Sequence, residues 1–238
     1  MEKIEYPIRI NRFLYLKNIC SRRQADRFIE QGLVKINGQI AKIGQKINKK
    51  DKVEIAEEVE KKKESFKYFS YYKPIGIVSH NPQKDEKTIE DICPSAKGLY
   101  PIGRLDKASE GLMFLTNDTR IVDRILNPKY AHEKEYKIKV DKELKPSFKA
   151  KMEKGVNIEG YKTKPAKVQI TGNKTFKITL TEGKKHQIRR MCTALGYQVK
   201  NLKRIRIMNI KLGSMKSGEL KELPIKTKIN LLKKVELI

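Results

Sequence analysis

The chain has 238 residues, and its 54 Lys and Arg side chains outnumber its 28 Asp and Glu side chains, giving a formal net charge of +26. A sequence pI near 9.9 indicates a partner rich in phosphate, either a nucleic acid or an anionic membrane surface, and argues against a neutral ligand. No run approaches the ~18 apolar residues of a membrane span, and the N-terminus lacks the pattern of a secretory signal.

Cysteine usage indicates the cellular compartment. Cys20, Cys93 and Cys192 are odd in number, far apart and without a C-x-x-C pair. Such spacing predicts neither a disulfide framework nor a zinc site. We therefore expect a cytoplasmic protein with reduced thiols, no bound metal and no membrane partner.

A small first domain is predicted over residues 6–56. Ser21 and Gln24 have the spacing of a capping box, which predicts a helix starting at residue 22, and Gly32 would end it. The Asn37-Gly38 pair between alternating residues predicts a β-hairpin. A shorter preceding helix and a final strand are indicated by Ile10, Phe13, Leu14, Ile19, Val53 and Ile55. A core of this size suits a binding module better than an enzyme.

The second predicted helix carries Arg22, Arg23 and Arg27 near its start. Helix dipole and side-chain charge together attract phosphate there, although the same residues also fit an ordinary solvated face. After this domain, residues 57–65 are almost entirely charged. We interpret them as a linker, followed by a second domain over residues 66–238.

Strands dominate the second domain. They are predicted at residues 68–72, 99–102, 112–116, 136–140, 167–170, 176–180 and 205–212. Helices are predicted at residues 120–126, 146–154 and 185–195, with Asp118 capping the first of them. Strands mixed with non-alternating helices are typical of an α+β fold with a mainly antiparallel sheet flanked by helices.

The segment Gly103–Asp118 (GRLDKASEGLMFLTND) places one carboxylate, Asp106, in a polar turn between apolar runs. A protein that binds a polyanion normally keeps negative charge off its binding face, so this acid indicates chemistry on the bound nucleic acid. The alternative is a turn aspartate that bonds to its own backbone. Spacing alone does not decide between them. It also leaves Tyr136 as an ordinary strand tyrosine, Arg189 as a phosphate contact at a helix start, and His186 as structural.

The same segment resembles the active-site signature of the RsuA/RluB/RluE/RluF pseudouridine synthases. Three further segments are similar to that family and occur in the right order, namely residues 73–78 (KPIGIV), 132–136 (HEKEY) and 182–191 (EGKKHQIRRM). The first domain is similar to the S4 RNA-binding module that the family carries in front. Residues 18–23, 191–192 and 204–209 look closest to the RluF branch, which acts on large-subunit ribosomal RNA.

The resemblance implies site-specific conversion of uridine to pseudouridine in structured RNA, most closely 23S ribosomal RNA. Asp106 would be the essential carboxylate, buried and held ionised by a salt bridge from Arg189. Tyr136 would stack on the flipped base and move a proton from C5. Arg104 would aid base flipping. The reaction it implies needs no cofactor and no metal, and a monomer suffices.

Further RNA contacts are expected from basic side chains. On the first domain these are Arg22, Arg23 and Arg27. On the second they are Arg190, Lys203 and Arg204, of which the last two equally fit a solvated strand edge. Two alternatives remain open: a non-catalytic RNA-binding or ribosome-assembly factor of the same fold, and a synthase acting on 16S ribosomal RNA or a transfer RNA loop.

Overall fold

The computed structural model describes residues 4–59 and 66–238. Its first part contains, in chain order, β1 (Ile8–Arg9), α1 (Ile10–Leu16), α2 (Arg22–Glu30), β2 (Val34–Ile36), β3 (Gln39–Ile40), β4 (Lys46–Ile47) and β5 (Val53–Ile55). The predicted linker 57–65 begins with a helical turn whose Val59 is buried in the core of this part. The rest of that linker, residues 60–65, lies outside the described residues.

Local sequence signals account for the shape of this first part. Ser21 Oγ accepts from the backbone N–H of Gln24 at 3.2 Å, and Gln24 Oε1 accepts from the N–H of Ser21 at 3.2 Å, so the predicted capping box is confirmed. Asn37 and Gly38 take φ values of 51° and 79°. Positive φ at both central residues matches the twist of a tight hairpin, and β2 and β3 pair around it as predicted.

Besides two short 3₁₀ helices, Pro94–Ala96 and Pro128–Tyr130, the described residues of the second part form sixteen further helices and strands. They are β6 (Tyr68–Lys73), α3 (Ile89–Ile92), β7 (Tyr100–Ile102), β8 (Glu110–Thr116), α4 (Ile121–Leu126), β9 (Lys134–Val140), α5 (Phe148–Glu153), β10 (Asn157–Ile158), β11 (Tyr161–Lys162), β12 (Lys167–Gly172), β13 (Thr175–Leu180), α6 (Gln187–Ala194), β14 (Val199–Ile207), β15 (Ile210–Lys211), β16 (Leu220–Glu222) and α7 (Ile225–Lys234).

One sheet organises this second part. Its strand order is β12-β13-β9-β14-β8-β6-β16, with β15 added to β14 and β7 added to β8, nine strands in the described part of the chain. The pair β14–β8 is parallel and the other pairs are antiparallel. The expected α+β fold with a mixed, mainly antiparallel sheet is therefore confirmed.

The centre of the sheet is buried on both faces. Met113 and Leu115 of β8 enter one core with residues of α3, α5 and α6, while Leu112 and Phe114 enter a second core with residues of α4 and α7. Because alternate side chains of a strand point to opposite faces, a strand between two cores is apolar along its length. This arrangement fixes β8, and with it the turn that precedes β8.

Two sequence predictions about the last third of the chain are wrong in detail. The predicted strand 205–212 is a hairpin, because Met208 takes a φ of 51° and turns β14 back into β15. The predicted helix 185–195 begins only at Gln187, since His186 takes a left-handed φ of 52°. Helix α7 was not predicted.

None of the helices among the described residues is both long and apolar enough to cross a membrane.

Polar contacts join the two parts. The backbone oxygen of Asn18 accepts from Arg120 at 2.7 Å, and its side-chain oxygen accepts from Arg124 at 2.6 Å. Thr119 donates to Gln24 at 2.7 Å. Arg120 is itself bound to the buried carboxylate of Asp118, so the first part is bonded to a rigid point of the second.

Candidate active site

A cavity of about 550 Å³ opens between three segments of the second part: the turn before β8, strand β9 and the loop leading into α6. Asp106, Tyr136 and Arg189 all line it. The fold therefore brings together the three residues predicted to be catalytic, although they are far apart in the sequence. Residues from separate elements that meet in one concave site are typical of an active centre.

The turn that carries Asp106 is bonded to its surroundings through its backbone. Ser79 Oγ donates to the carbonyl of Leu105 at 2.6 Å and accepts from its N–H at 3.1 Å. The N–H of Gly76 donates to the carbonyl of Lys107 at 2.8 Å. The Asp106 side chain remains 40% exposed in the cavity, so the expectation of a buried carboxylate is wrong. Its neighbours fix the backbone and leave the carboxylate free to face a substrate.

The expected salt bridge between Arg189 and Asp106 is also not what the structure shows. Arg189 donates to the carbonyl oxygen of Ala108 at 2.9 Å and to Ser109 Oγ at 3.2 Å. The guanidinium thus binds the end of the turn, two residues beyond the carboxylate. Among the described residues, the basic side chain within salt-bridge distance of Asp106 is His186, whose Nδ1 lies 3.4 Å from Oδ2.

His186 is a residue whose place the sequence analysis missed. Its left-handed backbone is uncommon for a side chain other than glycine, and such backbone outliers concentrate at functional sites. The conformation ends the preceding loop and directs the ring toward Asp106. A histidine within the motif was the available signal, but no partner carboxylate lies near it in sequence.

Two buried cations lie behind the turn. Lys73 Nζ donates to the carbonyl oxygens of Ser109 at 2.8 Å and Pro74 at 2.9 Å. Arg204 donates to the carbonyl oxygen of Gly103 at 2.7 Å. Together with Arg189, they bind both ends of the turn and place positive charge near Asp106.

Burial lowers the pKa of Lys73 to about 8, although the charge of Asp106 opposes this shift. Between pH 8 and the ordinary lysine pKa near 10.4, the unfolded chain binds more protons than the folded chain, so the folded state gains stability as pH rises. We expect the free energy of unfolding of the wild type, minus that of Lys73→Met, to increase by about 2 kcal/mol from pH 7 to pH 9.5.

Urea denaturation at the two pH values measures this difference. The other lysines are common to both chains, so their titration cancels in the subtraction. A difference that is constant with pH would show that folding does not lower the pKa of Lys73.

Tyr136 forms part of the cavity wall and packs against the core. It lies on β9, half-buried, with the buried side chains of Lys134 and Ile138 on the same face. Its neighbour across the sheet is Arg204 of β14. Tyr136 therefore packs against the core as a strand tyrosine and also borders the cavity. Its role in the chemistry stays a prediction.

Strands β14 and β8 approach closely beneath the turn. Gly111 takes a φ of 111° and pairs with Arg204 across the parallel ladder. A Cβ at this position would overlap the backbone carbonyl of Arg204 and lie 2.7 Å from its nitrogen. Only glycine fits here, and its absence of a side chain lets Arg204 lie directly under the turn.

The basic residues that were predicted to bind RNA differ in their exposure to solvent. Arg104 is exposed at the rim of the cavity, and Arg22, Arg23 and Arg27 lie on the surface of α2. By contrast, Arg204 is 1% exposed, so its assignment as an RNA contact is wrong. The strand that looked like a basic edge lies between β9 and β8, so this side chain is not on the outer surface of the protein.

Two of the predicted contacts are held by carboxylates. Arg190 binds Glu159 at 2.6 Å, and the ammonium of Lys203 lies 3.6 Å from Glu110. These pairs reduce the charge available to a phosphate, and both residues stay predictions as RNA contacts.

A second concave surface lies on the first part of the chain. It has a volume of about 680 Å³ and is lined in part by Arg9, Arg12, Arg22 and Lys46. Three of these residues were missed by the sequence analysis, because they come from separate short elements that only the fold brings together. Converging cations in a groove form an electrostatic footprint for a phosphate backbone.

Comparison with known proteins agrees with the family resemblance of the sequence motifs. The family model for RNA pseudouridylate synthase matches residues 67–194, and the S4 domain model matches residues 8–53. The dual-specificity RNA pseudouridine synthase RluF of Escherichia coli is 42% identical over 96% of this chain and 80% of its own length. The ribosomal large subunit pseudouridine synthase B of Bacillus subtilis is 32% identical over 90% of this chain and 91% of its own length.

A crystal structure of a pseudouridylate synthase superposes with a TM-score of 0.69 at 31% identity, covering 96% of this chain and 99% of the other. Similarity of this extent includes the turn of Asp106, strand β9 and the loop before α6, which together form the cavity. The chain therefore belongs to the family of RNA pseudouridylate synthases, with an S4 domain preceding the catalytic domain.

Proposed function

We propose that this protein converts a specific uridine of large-subunit ribosomal RNA to pseudouridine, with Asp106 as the reacting carboxylate. The observation that carries the proposal is the convergence of Asp106, Tyr136 and Arg189 on one cavity. The 42% identity to the Escherichia coli RluF protein over 96% of this chain supports the choice of RNA. The cavity is built within one chain, which supports action as a monomer, and a ribosomal RNA substrate supports a cytoplasmic location.

The geometry supports a division of the chemistry among these residues. The C1′–N1 bond of the uridine breaks, its electron pair stays on uracil, and the sugar needs either covalent capture at C1′ or loss of a C2′ proton. The half-exposed carboxylate of Asp106 serves either route. The uracil turns, C5 bonds to C1′, and the C5 proton is lost while N1 gains one. The net reaction is an isomerisation.

The other residues would orient the turn and the base. Arg189 holds the backbone after Asp106 through Ala108 and Ser109. The ring of Tyr136 offers a flat surface on which a flipped uracil can stack. Arg104 is exposed at the rim and would occupy the position that the base leaves.

The S4 domain would grip the RNA through its groove and α2. We expect the double substitution Arg22→Gln and Arg23→Gln to weaken RNA binding and to flatten the dependence of log Kd on log salt. The slope should fall by up to ~0.7 for each phosphate of single-stranded RNA that the variant no longer neutralises. Filter binding at several salt concentrations measures the slope.

The matched control is Lys49→Gln with Lys50→Gln, an exposed pair on the same domain that gives the same change in net charge. If both double variants lower the slope equally, binding depends on overall charge, and the proposed role of α2 is wrong.

Carbodiimide-based mapping of pseudouridine in all cellular RNA, with and without the gene, tests the proposed function. We expect a pseudouridine in large-subunit ribosomal RNA to disappear on deletion and to return with the wild-type gene. A transfer RNA loop is an alternative substrate, so transfer RNA is mapped in the same experiment. Unchanged maps of both RNA classes would contradict the proposal.

A further inference from the structure

Arg204 is a charged side chain in an environment that normally excludes charge. It lies in β14, between β9 and β8, and is 1% exposed. Its Nε donates to the carbonyl oxygen of Leu112 at 2.7 Å and its Nη2 to that of Gly103 at 2.7 Å. Within the described ranges, 4–59 and 66–238, no carboxylate forms an ion pair with it.

Burial of an uncompensated guanidinium is costly, and it lowers the pKa of Arg204 below its usual value. The two backbone carbonyls accept hydrogen bonds from it but carry no net charge. A buried cation with a shifted pKa that borders a cavity is a candidate functional group. A neutral side chain could stabilise the fold as well without the cost of burying a charge.

The group that faces this cation across the sheet is Tyr136. The two residues are register partners on β14 and β9, and both line the cavity. Burial lowers the pKa of Arg204, and Tyr136 partly opposes this shift. A second buried cation, Lys134, lies on the same face of β9. Tyr136 therefore has a buried basic side chain beside it on each of the two strands.

We propose that Arg204 is a positioning residue for Tyr136 and supports the removal of the proton from C5. In this step the C5–H bond breaks and its electron pair restores the C5–C6 double bond of uracil, while the electron pair of the N1–C6 double bond moves to N1, which takes a proton from water. The proton passes to the phenol oxygen as the phenol releases its own proton to water in the open cavity. The negative charge that develops on the oxygen is stabilised by the guanidinium, which needs no reorganisation because it is already buried in place.

This inference rests on the proposed role of Tyr136. It differs from a purely structural role, in which Arg204 would only hold the turn through its hydrogen bond to Gly103. If Arg204 only held Gly103, its substitution would displace Asp106 and would slow every step of the reaction alike. A residue that serves Tyr136 slows only the step in which hydrogen leaves C5. Deuterium at C5 distinguishes the two, because it slows only the breaking of the C5–H bond.

The test compares wild type, Arg204→Lys and Arg206→Lys in single-turnover reactions with RNA carrying hydrogen or deuterium at C5 of the target uridine. Arg206 is the matched control, since it lies on the same strand but pairs with Glu133 and Glu135 at 2.9 Å. For Arg204→Lys we expect a rate about 10- to 100-fold lower and an isotope effect larger than that of the wild type. For Arg206→Lys we expect the wild-type isotope effect.

Tyr136→Phe, alone and combined with Arg204→Lys, gives a second measurement that also applies if the wild type already shows a full isotope effect. If Arg204 acts through Tyr136, the double variant is no slower than Tyr136→Phe. An unchanged isotope effect together with multiplicative rate losses would overturn the proposal.

Thermal melts verify that each variant is folded. If Arg204→Lys does not fold, Tyr136→Phe must itself show the larger isotope effect, and its absence overturns the proposal. Failure of the wild type to form pseudouridine at all would contradict the proposed function and not this inference alone.

Discussion

Asp106→Asn is expected to reduce the single-turnover rate of pseudouridine formation by at least ~10⁴-fold, the loss typical of removing a group that forms or breaks covalent bonds in the reaction. The side chain is 40% exposed, so the amide fits without repacking and the fold is unchanged. RNA affinity should stay the same or tighten slightly, because the substitution removes a negative charge beside the phosphates. Nucleoside mass spectrometry of digested RNA and filter binding measure the two quantities.

The matched control is Asp85→Asn, which makes the same chemical change at an exposed carboxylate in another loop. Its rate should equal that of the wild type. If Asp106→Asn weakens binding as strongly as it lowers the rate, the carboxylate is needed for docking, and its role in the chemistry is wrong.

Gly111→Ala is expected to destabilise the protein by at least ~3 kcal/mol, since it adds the strain of a positive φ to a steric overlap. The new Cβ would overlap the carbonyl of Arg204 and lie 2.7 Å from its nitrogen. Backbone atoms in a parallel ladder cannot turn aside as a side chain can. The strands β8 and β14 must separate, and this shifts both the turn of Asp106 and the partner of Tyr136.

Gly98→Ala isolates the cost of the backbone conformation. Gly98 has a φ of 79°, and a Cβ there would meet nothing within 4 Å. We expect a loss of only about 1 to 2 kcal/mol in urea denaturation. Equal losses for the two variants would show that β8 and β14 do not approach as closely as described.

The sequence predicts those parts of the site that depend on residues adjacent in the chain. The turn around Asp106 is bounded by Gly103 and an apolar strand, and both signals lie within a few residues. Tyr136 and Arg189 could be named through their motifs, and the fold brings both to the cavity. The turn could be predicted because its signals are neighbours in the chain, whereas the roles of Tyr136 and Arg189 were predicted only from the resemblance of their segments to the family.

The partners of these residues could not be predicted, because they depend on which strands lie side by side. The series Lys203, Arg204 and Arg206 is typical of a solvated edge, yet β14 pairs in parallel with β8 and buries Arg204. Likewise, the partner of Arg189 depends on where α6 begins, which the left-handed backbone of His186 decides. The contacts between the two parts of the chain, such as those of Asn18, are equally non-local.

The central claim is that this cavity isomerises uridine with the protein's own side chains. Release of tritium from large-subunit ribosomal RNA labelled at C5 of uridine, incubated with purified wild-type protein alone, measures it most directly. We predict release that reaches a fixed stoichiometry per RNA and is abolished by Asp106→Asn. No release by the wild type, or equal release by Asp106→Asn, would contradict the claim.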